Sequence, residues 1–290
     1  MCRFILYHGR PLAISSLVTE PENSLIHQSF QAGEREEPLN GDGFGVAWYP
    51  TPPVRPPGLF RAVTPAWNNA NLQSLARAVE STCILAHVRA ATRGRAANEA
   101  NCHPFVAGHW AFMHNGDLGG FHRLRRHLLA QLSEAAFSTI EGQTDSEHLF
   151  ALFLDEVGGT AAETDAAGIA SALKRAMARA LALSVQHGDG APSYLNLAVT
   201  DGRAAVVTRF TTDDRYDGES LYWNTGRRYV CEGGLCRMVE PDREGASVLI
   251  SSERLSEDPG WEPVRAGHMV LVHADRTAHT QRIDLPSHDG

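Results

Sequence analysis

The chain has 290 residues, 43% hydrophobic and 21% charged, with a net charge of −8 at pH 7. That length makes one large domain or two modest ones, with a core that needs neither disulfide nor metal to hold it. Acids and bases are interspersed, which leaves no basic surface for nucleic acid, and no stretch has the apolar length of a membrane span or signal peptide.

In chain order, residues 3–7 are apolar and stop at His8-Gly9-Arg10-Pro11, so they predict a buried strand with Cys2 held at its end. Residues 12–18 and 24–30 predict two short helices, the second capped by Ser24. A polar loop follows to Asn40. Gly41-Asp42-Gly43-Phe44-Gly45 then predicts a turn into a strand over 46–49. Its glycines also suit close approach of backbone to a ligand. Because it precedes a strand, instead of joining strand to helix, it is not a dinucleotide fingerprint. Prolines at 50, 52, 53, 56 and 57 mark a hairpin excursion or surface loop before a strand over 59–63. Residues 69–81 have helical spacing, with Leu72, Leu75, Ala76 and Val79 on one face.

A buried strand over 83–88 runs into Arg89-Ala90-Ala91-Thr92, and a second over 110–113 stops at His114-Asn115-Gly116-Asp117. Helices are predicted over 118–132, 145–157 and 164–186, the middle one with Thr144 as cap and Glu147 as the matching acid three residues on. Strands are predicted over 195–200, 204–210, 221–225, 248–252 and 269–273, with Asp201-Gly202 as a hairpin turn. Two sheets with helices outside them accommodate this order. There is no P-loop and no Rossmann fingerprint. The five cysteines, Cys2, Cys83, Cys102, Cys231 and Cys236, are odd in number and lack a C-x-x-C. They predict no disulfide framework and no zinc ribbon, and so a cytoplasmic protein in a reducing environment.

Three apolar strands end abruptly in residues suited to chemistry, and rigid strand ends are where sites are positioned. The first end is Cys2. Removal of Met1 uncovers a thiol that titrates near about 8.5 and an α-amine near about 7.7–8.0, a nucleophile with a base attached. The second end carries Arg89 between small residues, placed to clamp a carboxylate with two hydrogen bonds. The third is Asn115-Gly116, which reads either as a type I′ hairpin turn or as an oxyanion hole. Asp145 is an ordinary first-turn helix acid, or a group that holds an ammonium. One arginine and one aspartate match the two ends of an α-amino acid.

MCRF at the start, NGDGFG at 40–45, HVRAAT at 87–92, HNG at 114–116 and TDSE at 144–147 together resemble the class II glutamine amidotransferases, which are N-terminal nucleophile hydrolases. SSERL at 251–255 and Trp261 are similar to the stand-alone members related to the γ-glutamyl hydrolase of ergothioneine synthesis and the glutathione-degrading amidotransferase subunit. The resemblance implies an α+β fold, a four-layer αββα sandwich of two mainly antiparallel sheets. It implies one domain over 1–290, with the catalytic motifs in 2–155. By position, Cys2 is the expected nucleophile with its own α-amine as base. Asn115 (side chain) and Gly116 (N–H) form the oxyanion hole, Arg89 and Thr92 bind the α-carboxylate, and Asp145 binds the α-amine. Ala90 stands where several members carry a bulkier aromatic, which opens the pocket wall. Asp42 and Arg3 receive no assigned role, although a charge at Arg3 is suited to favour the thiolate.

The expected substrate is a small molecule, glutamine or a γ-glutamyl amide, cleaved through a γ-glutamyl thioester with no metal or cofactor. Hydrolysis for its own sake is favoured over delivery of ammonia to a separate synthase or peptidase subunit. A zinc site from Cys102, His103, His109 and His114 has the wrong spacing. A papain-like hydrolase on Cys83 or Cys102 lacks the local signature. A non-catalytic binding homologue would have lost Cys2, Arg89, Asn115 or Asp145, and all are present. His103 is expected to be a loop histidine near the site, and His87 a hydrogen-bonded strand histidine.

Overall fold

The computed structural model describes residues 2–34, 39–50, 56–90, 98–232, 235–240 and 245–285. β1 (Arg3–Ala13) runs well past the expected stop at His8. Its register against the neighbouring strand slips between His8 and Leu12, so Gly9-Arg10-Pro11 forms an irregularity within the strand and does not end it. That leaves only α1 (Ser15–Val18) of the first predicted helix. α2 (Leu25–Phe30) starts where expected, with the Ser24 hydroxyl accepting from the His27 N–H at 3.3 Å. β2 (Phe44–Tyr49) and β3 (Gly58–Ala62) pair as the two arms of the proline-rich excursion. α3 (Ala70–Ala78) is capped by Asn69 and leads into β4 (Glu80–Val88).

β5 (Phe105–Ala107) and β6 (Trp110–Asp117) are followed by four helices: α4 (Phe121–Gln131), α5 (Glu134–Phe137), α6 (Asp145–Val157) and α7 (Ala166–His187). The last third holds β7 (Tyr194–Thr200), β8 (Ala205–Arg209), β9 (Tyr222–Glu232), β10 (Leu235–Val239), β11 (Ser247–Ser251), β12 (Glu262–Pro263), β13 (His268–Val272) and β14 (Ala278–Arg282). One sheet has the order β10-β9-β11-β1-β4-β2-β3, with β12 beside β9, and the other has the order β14-β13-β8-β7-β6-β5. Among the described residues the paired strands are antiparallel.

Each strand of a doubly covered sheet buries both faces, so its sequence is apolar throughout. In β1, Ile5 and Tyr7 join a core with α1, α2 and α3, while Phe4 and Leu6 join a second core between the sheets. A third core packs α4, α6 and α7 onto the outer face of the other sheet. Three apolar layers separate four layers of structure, the αββα sandwich expected.

Two expectations fail. Asn115-Gly116 is not a turn: β6 continues through both, with Asn115 opposite Asn196 and Gly116 opposite Leu195 of β7. An available partner strand overrides the local turn preference. The cysteines are not all unpaired either. Cys231 and Cys236 are cross-strand neighbours on β9 and β10 and form a disulfide. That pairing removes the argument from free thiols for a reducing compartment. No described helix is long and apolar enough to cross a membrane.

Candidate active site

Strand pairing gathers the sequence motifs at one end of the sandwich. β4 lies between β1 and β2, with Val88 opposite both Arg3 and Phe44. The start of β1, the end of β4 and the start of β2 therefore share an edge. There the Arg89 N–H donates to the Gly43 carbonyl at 2.8 Å and the Asp42 N–H to the Arg89 carbonyl at 3.0 Å. The Arg89 guanidinium is 4% exposed and donates through Nη1 to the Asp42 carbonyl at 3.3 Å. Cys2 is half-buried, its Sγ 3.7 Å from the Ala90 carbonyl. Burial pushes the Cys2 thiol up, and the Arg89 guanidinium pulls it the other way.

The second sheet supplies β6 at the same end, bridged to the first by His87 Nε2, 3.2 Å from the His114 carbonyl. Asn115 follows directly. It is 1% exposed, and neither Nδ2 nor Oδ1 has a hydrogen-bond partner among the described residues. Gly116 has φ +151°, and a Cβ there would stand 1.9 Å from the Tyr194 carbonyl oxygen, so the position accepts no side chain. Asp145 opens α6 and accepts the Leu118 N–H at 2.8 Å, which fastens the helix start to the chain leaving β6. Thr144 caps α6 as expected, its hydroxyl accepting the Glu147 N–H at 3.2 Å. The Glu147 carboxylate does not complete the box. It turns to the N–H groups of Glu141 and Gly142, at 2.8 and 2.7 Å. Thr92 lies outside the described residues.

The glycines of NGDGFG serve the fold. A Cβ at Gly43 would stand 2.6 Å from Cys102 Sγ, and one at Gly45 would stand 2.2 Å from the His103 carbonyl oxygen. They admit the 102–103 segment, not a ligand. His103 is buried and stacks on His87 with ring centroids 4.2 Å apart, neither ring nitrogen hydrogen-bonded. Burial holds both neutral, pushing His87 down to about 3 and His103 well below its ordinary value. Cys102, His103, His109 and His114 do not gather as a ligand set. The metal-type ligand atoms that do converge among the described residues belong to Glu20, Cys231 and Cys236. Burial pushes Cys83 up to about 12 and also raises Cys102, and neither, being internal to the chain, carries an α-amine to take the thiol proton.

Arg3 and Glu253 had no assigned place and turn out to adjoin the site. Arg3 Nε donates to Glu253 Oε1 at 3.0 Å, and Nη1 donates to the Cys2 carbonyl at 3.0 Å. The sequence signals were MCRF and SSERL themselves, about 250 residues apart.

A four-layer sandwich with these motifs at one end defines a class of enzyme. The family described as glutamine amidotransferases class-II matches residues 12–215, and the chain belongs to it, an enzyme of amide hydrolysis. The chain is 38% identical over 292 residues to the probable glutamine amidotransferase DUG3 of Saccharomyces cerevisiae, covering 94% of this chain and 82% of that one. It is 33% identical over 273 residues to the gamma-glutamyl-hercynylcysteine sulfoxide hydrolase of Mycobacterium tuberculosis, covering 94% and 93%. These relatives agree with the stand-alone type that SSERL and Trp261 indicated. The solved structure of a glutamine aminotransferase class-II domain protein from Silicibacter pomeroyi matches at a TM-score of 0.66 and 29% identity, over 98% of this chain and all of that one. The glutamine phosphoribosylpyrophosphate amidotransferase of B. subtilis shares the fold at a TM-score of 0.59 and 14% identity, over 98% of this chain and 50% of that one.

Proposed function

We propose that the chain is an N-terminal cysteine hydrolase of γ-glutamyl amides, working as one cytoplasmic domain. The observation that carries this is the buried amide of Asn115, which has no hydrogen-bond partner among the described residues, at the same sandwich end as Cys2, Arg89 and Asp145. A buried polar group with no partner marks a place where a ligand completes the bonding.

With Met1 removed, the Cys2 α-amine takes the thiol proton and the sulfur attacks the γ-carbonyl carbon. The Asn115 Nδ2 and the Gly116 N–H donate to the resulting oxyanion. Collapse expels the amine, which takes the proton from the Cys2 ammonium, and leaves a γ-glutamyl thioester. Water activated by the same amine cleaves the thioester and releases glutamate. Arg89 and Thr92 hold the substrate α-carboxylate, and Asp145 its α-ammonium. The relative named for γ-glutamyl hydrolysis supports a γ-glutamyl compound as substrate and water as acceptor. No separate synthase or peptidase subunit is then needed.

The test is release of glutamate from glutamine, glutathione and other γ-glutamyl compounds, read by mass spectrometry for wild type and Cys2→Ala. Equal rates reject the nucleophile. Turnover of glutamine that starts only when a synthase is added reverses the choice of acceptor. Intact-mass measurement should find Cys2 as the first residue of active protein, and full activity with Met1 retained rules out the α-amine as base.

A further inference from the structure

We propose that Arg3 and Glu253 are positioning residues that clamp the nucleophile-bearing residue, a proposal that rests on Cys2 acting as described above. Once Met1 is gone, Cys2 is a chain end with no preceding peptide to fix its amine or thiol. Besides the Sγ contact with the Ala90 carbonyl at 3.7 Å, its backbone is held from the carbonyl side. Arg3 does this directly. Its backbone is set in β1 opposite Val88, while its side chain returns Nη1 to the Cys2 carbonyl at 3.0 Å. The same guanidinium is oriented by Glu253 Oε1 at 3.0 Å, both side chains being 2% exposed. The other carboxylate oxygen of Glu253 accepts the Gly33 N–H at 2.9 Å.

Glu253 is itself fixed by the residue before it. Ser252 exchanges bonds with Phe4: its N–H donates to the Phe4 carbonyl, and its hydroxyl accepts the Phe4 N–H, each at 3.0 Å. The Ser252 carbonyl accepts the Ser220 hydroxyl at 2.9 Å. The clamp is thus built on two strand ends that lock each other's register.

Stability alone gives little reason for such a pair. Desolvation offsets most of the attraction in a buried ion pair, and apolar side chains of similar volume replace one at no net loss. β1 is already paired with β4 over Arg3–His8 and Leu12–Ala13 and with β11 over Ile5–His8. A planar guanidinium does what an apolar side chain cannot, which is to grip one particular carbonyl while a carboxylate fixes its plane. Displacing a reacting group by about 1 Å costs about a hundredfold in rate.

Two variants test this, each checked by intact mass for loss of Met1. Arg3→Lys keeps the charge but cannot span both acceptors, so kcat should fall about 10- to 100-fold with KM little changed. The double variant Arg3→Met/Glu253→Leu should melt near the wild-type temperature yet lose kcat as much. A purely structural role would move the melting temperature and leave kcat in place in the folded double variant. Wild-type kcat in Arg3→Lys, or in the folded double variant, overturns the proposal. If Cys2→Ala is inactive while Arg3→Lys runs at full speed, only the clamp is lost. If Cys2→Ala is active, the nucleophile assignment itself fails.

Discussion

Asn115→Leu separates a catalytic amide from a structural one. In the resting protein the Asn115 side chain is 1% exposed and bonds to nothing described. A buried polar group left unsatisfied costs about 1–3 kcal/mol, so the native residue weakens the fold. In the proposed transition state its N–H meets the oxyanion, an interaction worth about 2.7–4 kcal/mol, or about 10²–10³ in kcat. Leucine has nearly the same shape and no polar atom. The variant should therefore melt at or above the wild-type temperature while kcat falls about 10²–10³-fold and KM changes little. Asn115→Asp tests the sign of the charge: an ionised carboxylate facing the oxyanion should be slower still. The assay is the initial rate of glutamate release at saturating substrate, beside a thermal melt followed by circular dichroism. A fall in melting temperature that accompanies the fall in kcat would show that Asn115 holds the fold, and wild-type kcat would remove it from the mechanism.

Acid should destabilise the protein through its buried histidines. Burial lowers His87 to about 3 and His8 to about 4, both below the ordinary value near about 6.5. Between those values the unfolded chain binds more protons than the folded one. Stability is therefore complete above pH ~6.5 and lost as pH falls, at about 1.4 kcal/mol per pH unit for each histidine. Equal urea midpoints at neutral pH and in this acid window would refute that. Asp145→Asn keeps an oxygen for the Leu118 N–H, which lies 2.8 Å away, but removes the charge. KM should rise about tenfold or more with a nearly unchanged melting temperature, and an unchanged KM excludes the α-amine contact. Gly116→Ala forces a Cβ to within 1.9 Å of the Tyr194 carbonyl at φ +151°, so a loss of at least ~2 kcal/mol in a urea titration is expected. A wild-type midpoint would mean that β6 and β7 part easily there.

Local chemistry was legible where it decided the outcome locally. The bounds of α6 follow from Thr144 as cap at one end and Gly158 at φ +95° at the other. Ser24 starts α2, and Asp201-Gly202 turns β7 into β8, for the same reason: a side chain satisfies nearby backbone groups. Buried strands announced themselves as apolar runs. β14 did not, because it lies at a sheet edge with largely exposed, polar residues. β6 outlasts its apolar run, which ends at Met113, because β7 pairs with the polar residues that follow.

The motifs supplied the candidate residues for the chemistry, since residue type and order are properties of the chain itself. They were silent on what each motif touches. The glycines at 43 and 45 look like a ligand cradle in sequence and are in fact clearance for Cys102 and His103. Arg3 reads as an unassigned charge beside Cys2, and only the pairing of β1 with β11 delivers Glu253 to it from the far end of the chain. The sequence by itself determined the nucleophile candidate, the helix starts and the buried strands, because these depend on neighbours a few residues away. The tertiary structure alone decided the register within each sheet, the burial of Asn115 without a hydrogen-bond partner among the described residues and the run of contacts from Glu253 through Arg3 to Cys2, because those depend on which distant strand ends are brought within bonding distance.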